Sequence, residues 1–353
     1  VISWRRRGAG ACVTRGWWAG AALLAVVVLA VLMGGLTGCS AVSMQPVSSA
    51  ASPREASPAV SQAQVTRVLR AVAAVQPAAL ESRYGGAVLE VRRAALTVRE
   101  RVPTSPEPAS LTGKRLLTAV PPAGEWPRWF LVALQPGGGA VPQVAVLVQD
   151  GPRDPYRVVA CATLLPGATL PDLIQQDGAA QPLAADASGL VATPAEAVAG
   201  YADMLTHGGA SPAAATMAPD ALSAQVLAEQ QAERDGVSQY MAYSAAHTPR
   251  DAGLWSLRTA DGGALVVGVL SGTRTFTPRG VGVSQSLPPD LAALAGAASA
   301  PHGLEVSTAE VVVLHVPAQG TGQGKNQGKD QGQEQGRVAL VAGQRGTTGV
   351  TVR

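Results

Sequence analysis

The sequence is poor in cysteine, histidine and aromatic residues, and each shortage removes a class of function. Three cysteines occur, Cys12 and Cys39 near the start and Cys161 alone in the body, so a chain shortened at Cys39 has no intramolecular disulfide and must hold its fold by burial. Cys161 sits inside "YRVVACATLL", which reads as a strand, and no base or cation stands beside it to activate a thiol. The four histidines, His207, His247, His302 and His315, pair with no other His or Cys at a ligand spacing, which leaves no zinc motif and no metal site. Catalytic signatures are equally thin. "THGGA" falls where a helix must end, and "GVLSG" has its serine one place late for a nucleophile elbow and lies in a strand. "GTGQGKNQG" contains glycines and Lys325 but no phosphate-loop register. No catalytic residue and no cofactor is assigned.

Charge of one sign is also missing. The net charge of +3 comes from Arg5, Arg6, Arg7 and Arg15, because no acidic residue precedes Cys39; the remaining chain carries 23 basic (27 − 4) against 24 acidic residues. A nucleic-acid footprint is therefore absent. What stands in its place at the start is a basic segment followed by twenty uncharged residues, 17–36, the pattern of an export signal. It ends on Leu36-Thr37-Gly38-Cys39, which resembles the lipobox of bacterial lipoproteins: an apolar residue, two small ones, then the cysteine that is acylated. The expectation is removal of residues 1–38 and lipidation, palmitate included, at Cys39. The competing reading is an uncleaved membrane anchor, since about twenty apolar residues also span a bilayer. Either way the arginines stay in the cytoplasm and the body lies outside.

Residues 39–60 are rich in Ser, Ala and Pro and read as a disordered tether. In "SQAQVTRVLRAVAAVQ" the apolar residues recur at helical spacing behind a Ser61 N-cap, and a second helix runs past Gly85-Gly86 to about Arg101. The period then changes. "KRLLTAV", "RWFLVALQ", "QVAVLVQ" and "YRVVACATLL", separated by Pro/Gly turns, predict a four-stranded antiparallel meander. The same order recurs. Thr193-Pro194-Ala195-Glu196 is a capping box opening a helix that closes at Gly208; "APDALSAQVLAEQQAERDG" gives another, with "SQYMAYSAA" as a further short helical piece. Strands follow around Asp261-Gly262-Gly263, at "LEVSTAEVVVLHVP" and at "RVALVAGQRGTTGVTV". Residues 318–336 between the last two are a Gly-Gln repeat, read as a solvated insert.

A lipobox, a Ser/Pro tether and repeated helix-helix-meander units, with "EWPRWFLVAL" and "DPYRVVACATLLPGATLP" in the first, resemble a family of actinobacterial lipoproteins with a domain of unknown function. The heavy use of Ala, Gly, Val and Pro suits a high-GC genome. The units are similar to the cone-shaped NTF2-like fold, so the fold class expected is α+β: two such modules in tandem, 61–186 and 187–353. The resemblance implies no activity and no catalytic residues, and this fold hosts enzymes and inert binding modules alike.

Two clusters remain. Asp150, Arg153, Asp154 and Tyr156 in "QDGPRDPY" offer either a ligand site or simply the turn between two strands, which Asp and Pro favour. Residues 61–120 hold nine Lys/Arg against four Glu, an excess that either faces anionic headgroups or envelope polymers or is a solvated helix face. Glu310 and His315 alternate onto opposite faces of one strand, so they cannot both line a cavity unless a bulge intervenes. The reading is a membrane-tethered extracytoplasmic binding or assembly component of the envelope. Its partners are the membrane through the N-terminal lipid, and other envelope proteins or anionic polymers. The rivals are an enzyme on the same scaffold and a membrane-anchored sensor.

Overall fold

The computed structural model describes residues 58–108, 110–320 and 336–353, and the observations below concern these. The lipobox, Cys39, nearly all of the tether and most of the Gly-Gln insert lie outside them. Helix α1 (Gln62–Ala73) starts at Ser61, whose hydroxyl accepts from the Gln64 amide, and presents Val65 and Val72 inward. A 3-10 turn over Pro77–Ser82 leads to α2 (Gly86–Arg101). Then come β1 (Lys114–Ala119), β2 (Arg128–Gln135), β3 (Gln143–Gln149) and β4 (Arg157–Leu164). The short pair β5 (Gln175–Gln176) and β6 (Ala179–Ala180) precedes α3 (Pro194–His207), where the Thr193–Glu196 capping box forms in both directions.

Helix α4 (Ala221–Val237) is capped by Asp220. Here the structure corrects the sequence reading, because the segment taken as a further helical piece begins β7 (Met241–Arg258) instead. The reason is tertiary. From Met241 to Pro249 the strand pairs in register with β8 (Ala264–Pro278), and that ladder outweighs the helix propensity of alanine. Beyond it lie the short β9 (Gln285–Ser286), α5 (Pro289–Ala295) and β10 (Ser299–Ala300), then β11 (Leu304–Val316) and β12 (Ala339–Val352).

Eight strands form one curled antiparallel sheet in the order β1-β2-β3-β4-β12-β11-β8-β7. Both expected meanders are present, and each is joined to the other through its last strand. The joint is narrow: β4 and β12 pair only at Ala342↔Leu164 and Gly343↔Thr163. On one face of the sheet a single apolar cluster draws on both halves, from Leu131, Val144 and Val146 to Val267, Val311 and Val313. The opposite face is covered half by half. Helices α1 and α2 pack on Phe130, Val132 and Leu147, while α3 and α4 pack on Val266, Leu270, Val312 and Leu314. Two halves with the expected order of elements therefore share a sheet and an apolar cluster.

Helix α2 also crosses the joint. A Cβ on Gly346 of β12 would lie 2.4 Å from Val91 Cγ1, so only glycine lets the helix of the first half settle on a strand of the second. Glu90, one residue earlier, accepts two hydrogen bonds of 2.8 Å each from Arg250 of β7.

Candidate functional site

Because β4 and β12 pair at two positions and then part, the sheet has a wedge between Cys161 and Gln344, and α2 roofs it. The result is a cleft of about 400 Å3. Its apolar wall comes from Ala87, Val91, Ala309 and Val311, members of the cluster shared by both halves. Polar groups stand at its rim, among them Thr163 and Gln344, whose side chains lie 3.4 Å apart across the joint. Gln143 is buried there, and its Oε1 has no hydrogen-bond partner among the described residues. A buried amide oxygen left unpaired costs about 1–3 kcal/mol, so the place of Gln143 in the lining of a cleft is an argument for a donor group bound there. The segment with Pro106, Glu107 and Pro108 runs along one side, tied by a 2.9 Å pair between Glu107 and Arg99 that holds the Glu107 carboxyl below its usual range.

Cys161 also lines the cleft, but burial pushes its thiol up to about 11, which keeps it protonated and unreactive near neutral pH. It packs against the cluster under α1 and α2, as its strand position led one to expect.

A second polar group lies on the other face of the sheet, beneath α4. Glu310 of β11 is fully buried, 3.8 Å from His247 Nε2 of β7, and its Oε1 accepts a 2.6 Å hydrogen bond from Thr308. Arg345 of β12 brings its Nε to 3.4 Å from the same oxygen and its Nη1 to 2.6 Å from Glu229 of α4. One turn along that helix, Glu233 pairs with Arg274 of β8 and accepts a 3.0 Å hydrogen bond from Tyr243. Gly272 makes the room. A Cβ there would fall 2.3 Å from Thr308 Oγ1 and 2.9 Å from Glu310 Oε1. Burial, and then the Arg345 and Arg274 charges, lower His247 to about 4, while burial raises Glu310 above the usual carboxylate range. The imidazole is thus neutral at pH 7. Glu310 Oε2, His247 Nδ1 and the Nε atoms of Arg274 and Arg345 find no hydrogen-bond partner among the described residues. Chemically this is an acid–base pair in a closed site, and its side chains are 0% and 1% exposed, so no substrate reaches it with α4 in place.

The sequence candidates are placed as follows. His315 lies across the strand from Glu310, 2.9 Å from Asp261, so the opposite-face expectation holds. The turn 150–156 does not gather its four side chains. Asp150 pairs with Arg157, Asp154 shapes the turn through its amide to the Gly151 carbonyl, Arg153 is exposed, and Tyr156 packs in the core 5.1 Å from the Phe130 ring. The residues that sequence reasoning missed are Gln143, His247, Thr308 and Arg345. They come from four strands, and only strand register brings His247, Thr308 and Arg345 together. Among the described residues there is no group of three or more His, Cys, Asp or Glu able to hold a metal ion.

An α+β body with one curled sheet, a cleft at the joint of its halves and a closed acid–base pair thus defines the class. Within it the chain belongs to the family built on a domain of unknown function, DUF8094, which matches residues 49–339. Two similar proteins are lipoproteins described as uncharacterised, one from Streptomyces coelicolor, 30% identical over 162 residues, and one from Streptomyces avermitilis, 28% identical over 231 residues. These alignments take in 45% and 60% of this chain, and 47% and 66% of the relatives. The chain thus spans about half to two thirds of their length. No solved structure matches. No described helix is long and apolar enough to cross a membrane.

Proposed function

We propose that the protein is a lipid-tethered binding component of the outer face of the cell membrane, and that its ligand enters the cleft at the β4–β12 joint. The tethering reading rests on Leu36-Thr37-Gly38-Cys39 together with the relatives described as lipoproteins. The binding reading is carried by one observation, the buried, unpartnered Gln143 amide oxygen in a cleft whose wall is mainly apolar. Such a cleft suits a small molecule with an apolar body and a polar end that includes a hydrogen-bond donor for Gln143. Repetition of two helices and a four-strand meander supports reading each half as an NTF2-like unit fused to the other through its last strand.

The test is native mass spectrometry of the full-length protein taken from its membrane. The expected result is a retained small molecule that disappears from an Ala95→Trp variant, in which the indole fills the cleft. An empty protein that also shows no thermal shift with any fraction of an envelope extract would end the binding reading.

The geometry of His247 and Glu310 favours one rival, an enzyme working by proton transfer once α4 lifts. That reading predicts a variant such as Glu229→Gln, which frees α4 from Arg345, to admit solvent to His247. Unchanged protection of the imidazole from diethylpyrocarbonate in this variant would remove it.

A further inference from the structure

We propose that the surface made by α1, the start of β1 and the β2–β3 turn is a docking face for anionic phospholipid, so that the protein lies against its membrane. The inference rests on the lipid-tether reading for its location, while the surface itself is described independently of it.

Four cations lie on these elements, and two of them, Arg70 and Arg115, share one hollow. Arg67 and Arg70 are exposed on α1, and Lys114 and Arg115 at the start of β1. Arg115 Nη1 lies 3.4 Å from Thr66 Oγ1, which brings the strand's guanidinium against the helix. Between the two elements is a hollow of about 340 Å3, with Leu69, Ala73, Leu111 and Leu134 on its wall and Arg70 and Arg115 lining it beside them. No opposing charge is close in sequence: residues 61–80 contain no Asp or Glu, and residues 108–149 contain only Glu125.

Apolar side chains stand beside the cations. The register of β1 against β2 shifts between Arg115 and Leu117, so Leu116 is the extra residue of a bulge and is 52% exposed. Val141, in the turn after β2, is 46% exposed. That turn sits at the same end of the sheet, since Lys114 pairs with Gln135, whose side-chain amide donates to the Ala140 carbonyl. Cations at headgroup height beside exposed aliphatic residues are the arrangement by which a surface binds the interface of an acidic bilayer. A hydrated anionic polymer would satisfy the arginines but gives Leu116 and Val141 nothing to enter.

The tether supplies proximity. Nineteen positions separate Cys39 from Pro58, where the described residues begin. Helix α1 is the first described helix after Cys39, so under the lipid-tether reading its cationic face lies on the element nearest the anchor in sequence.

The test uses the full lipidated chain with a protease site inserted in the tether. After cleavage the released body is mixed with vesicles of phosphatidylcholine alone, with vesicles containing phosphatidylglycerol, and with a soluble polyglycerol phosphate. Because the body is assayed free of residue 39, the result does not depend on whether Cys39 carries lipid. The expected result is sedimentation with the phosphatidylglycerol vesicles at low salt, release at high salt, and binding weakened about tenfold or more in Arg70→Gln/Arg115→Gln. Leu116→Ser should weaken it without changing the salt dependence. All variants should melt with the parent, as the altered side chains are exposed. Equal binding to neutral vesicles, an unaffected arginine variant, or binding to the soluble polymer in preference to vesicles would each overturn the proposal.

Discussion

At the scale of single residues, His247 makes the body less stable in acid. Its pKa in the fold is about 4 against an unfolded value near 6.5, so the unfolded chain takes up a proton first as the pH drops. The stability it contributes is complete above about pH 6.5 and is lost as pH falls towards 4. Over that window the change is roughly 3 kcal/mol at 1.4 kcal/mol per pH unit. Glu310, raised in the fold, acts with the opposite sign: its contribution is present at low pH and is lost as pH rises through its folded value. Melting curves from pH 4 to 7 should therefore slope more steeply on the acid side for the parent than for His247→Gln, whatever the variant's absolute stability. Parallel curves would show that the imidazole titrates alike in the folded and unfolded chains. The sequence could not give this residue a role, for its partners lie 27 positions or more away, from Arg274 to Arg345.

At the scale of elements, the contacts of α2 with the second half decide how the two halves are held. Gly346→Val would drive a branched side chain into Val91 and is expected to cost about 1–3 kcal/mol, recovered in part by Val91→Ala in the double variant. Additive losses in urea melts would show that the two sites do not touch. Glu90→Gln breaks the paired hydrogen bonds to Arg250, and because the carboxylate is 42% exposed the loss should be only about 1 kcal/mol, smaller at high salt. Deleting residues 321–335 from the β11–β12 connection should shift the melting temperature by no more than a few degrees, since loop closure changes by about 0.6 kcal/mol per doubling of length. Most elements were legible because caps and period agree. Ser61, the Thr193–Glu196 box, Gly208 and the Asp261-Gly262-Gly263 turn all stand where local chemistry puts them. Residues 241–246 were not, since alternating small residues say little until β8 lies beside them.

At the scale of the molecule, the repeated order of helices and meander led to an expectation of two autonomous modules, but order does not establish autonomy. The cluster that contains Leu131, Val146, Val267 and Val313 draws on both halves. Separated fragments 61–186 and 187–353 are accordingly expected to melt without cooperativity, and to regain a sharp transition when mixed. Two sharp, independent transitions would restore the modular reading. The cleft escaped the sequence for the same reason. It exists only where β4 and β12 part, and nothing local marks a pairing between strands some 180 residues apart.

The position of β12 has a consequence for the order of events in the cell. This strand is made after every other strand of the sheet, yet it lies between β4 and β11, near the middle. Until residues 339–352 have been synthesised, β11 presents an open edge to its surroundings and the end of β4 at Thr163 and Leu164 has no strand to join. The body therefore cannot close stepwise as it emerges; it waits for its last strand. During that wait it is most exposed to proteases and to strand exchange with a second copy, so a chain stopped short of residue 339 should be cleared rather than accumulate.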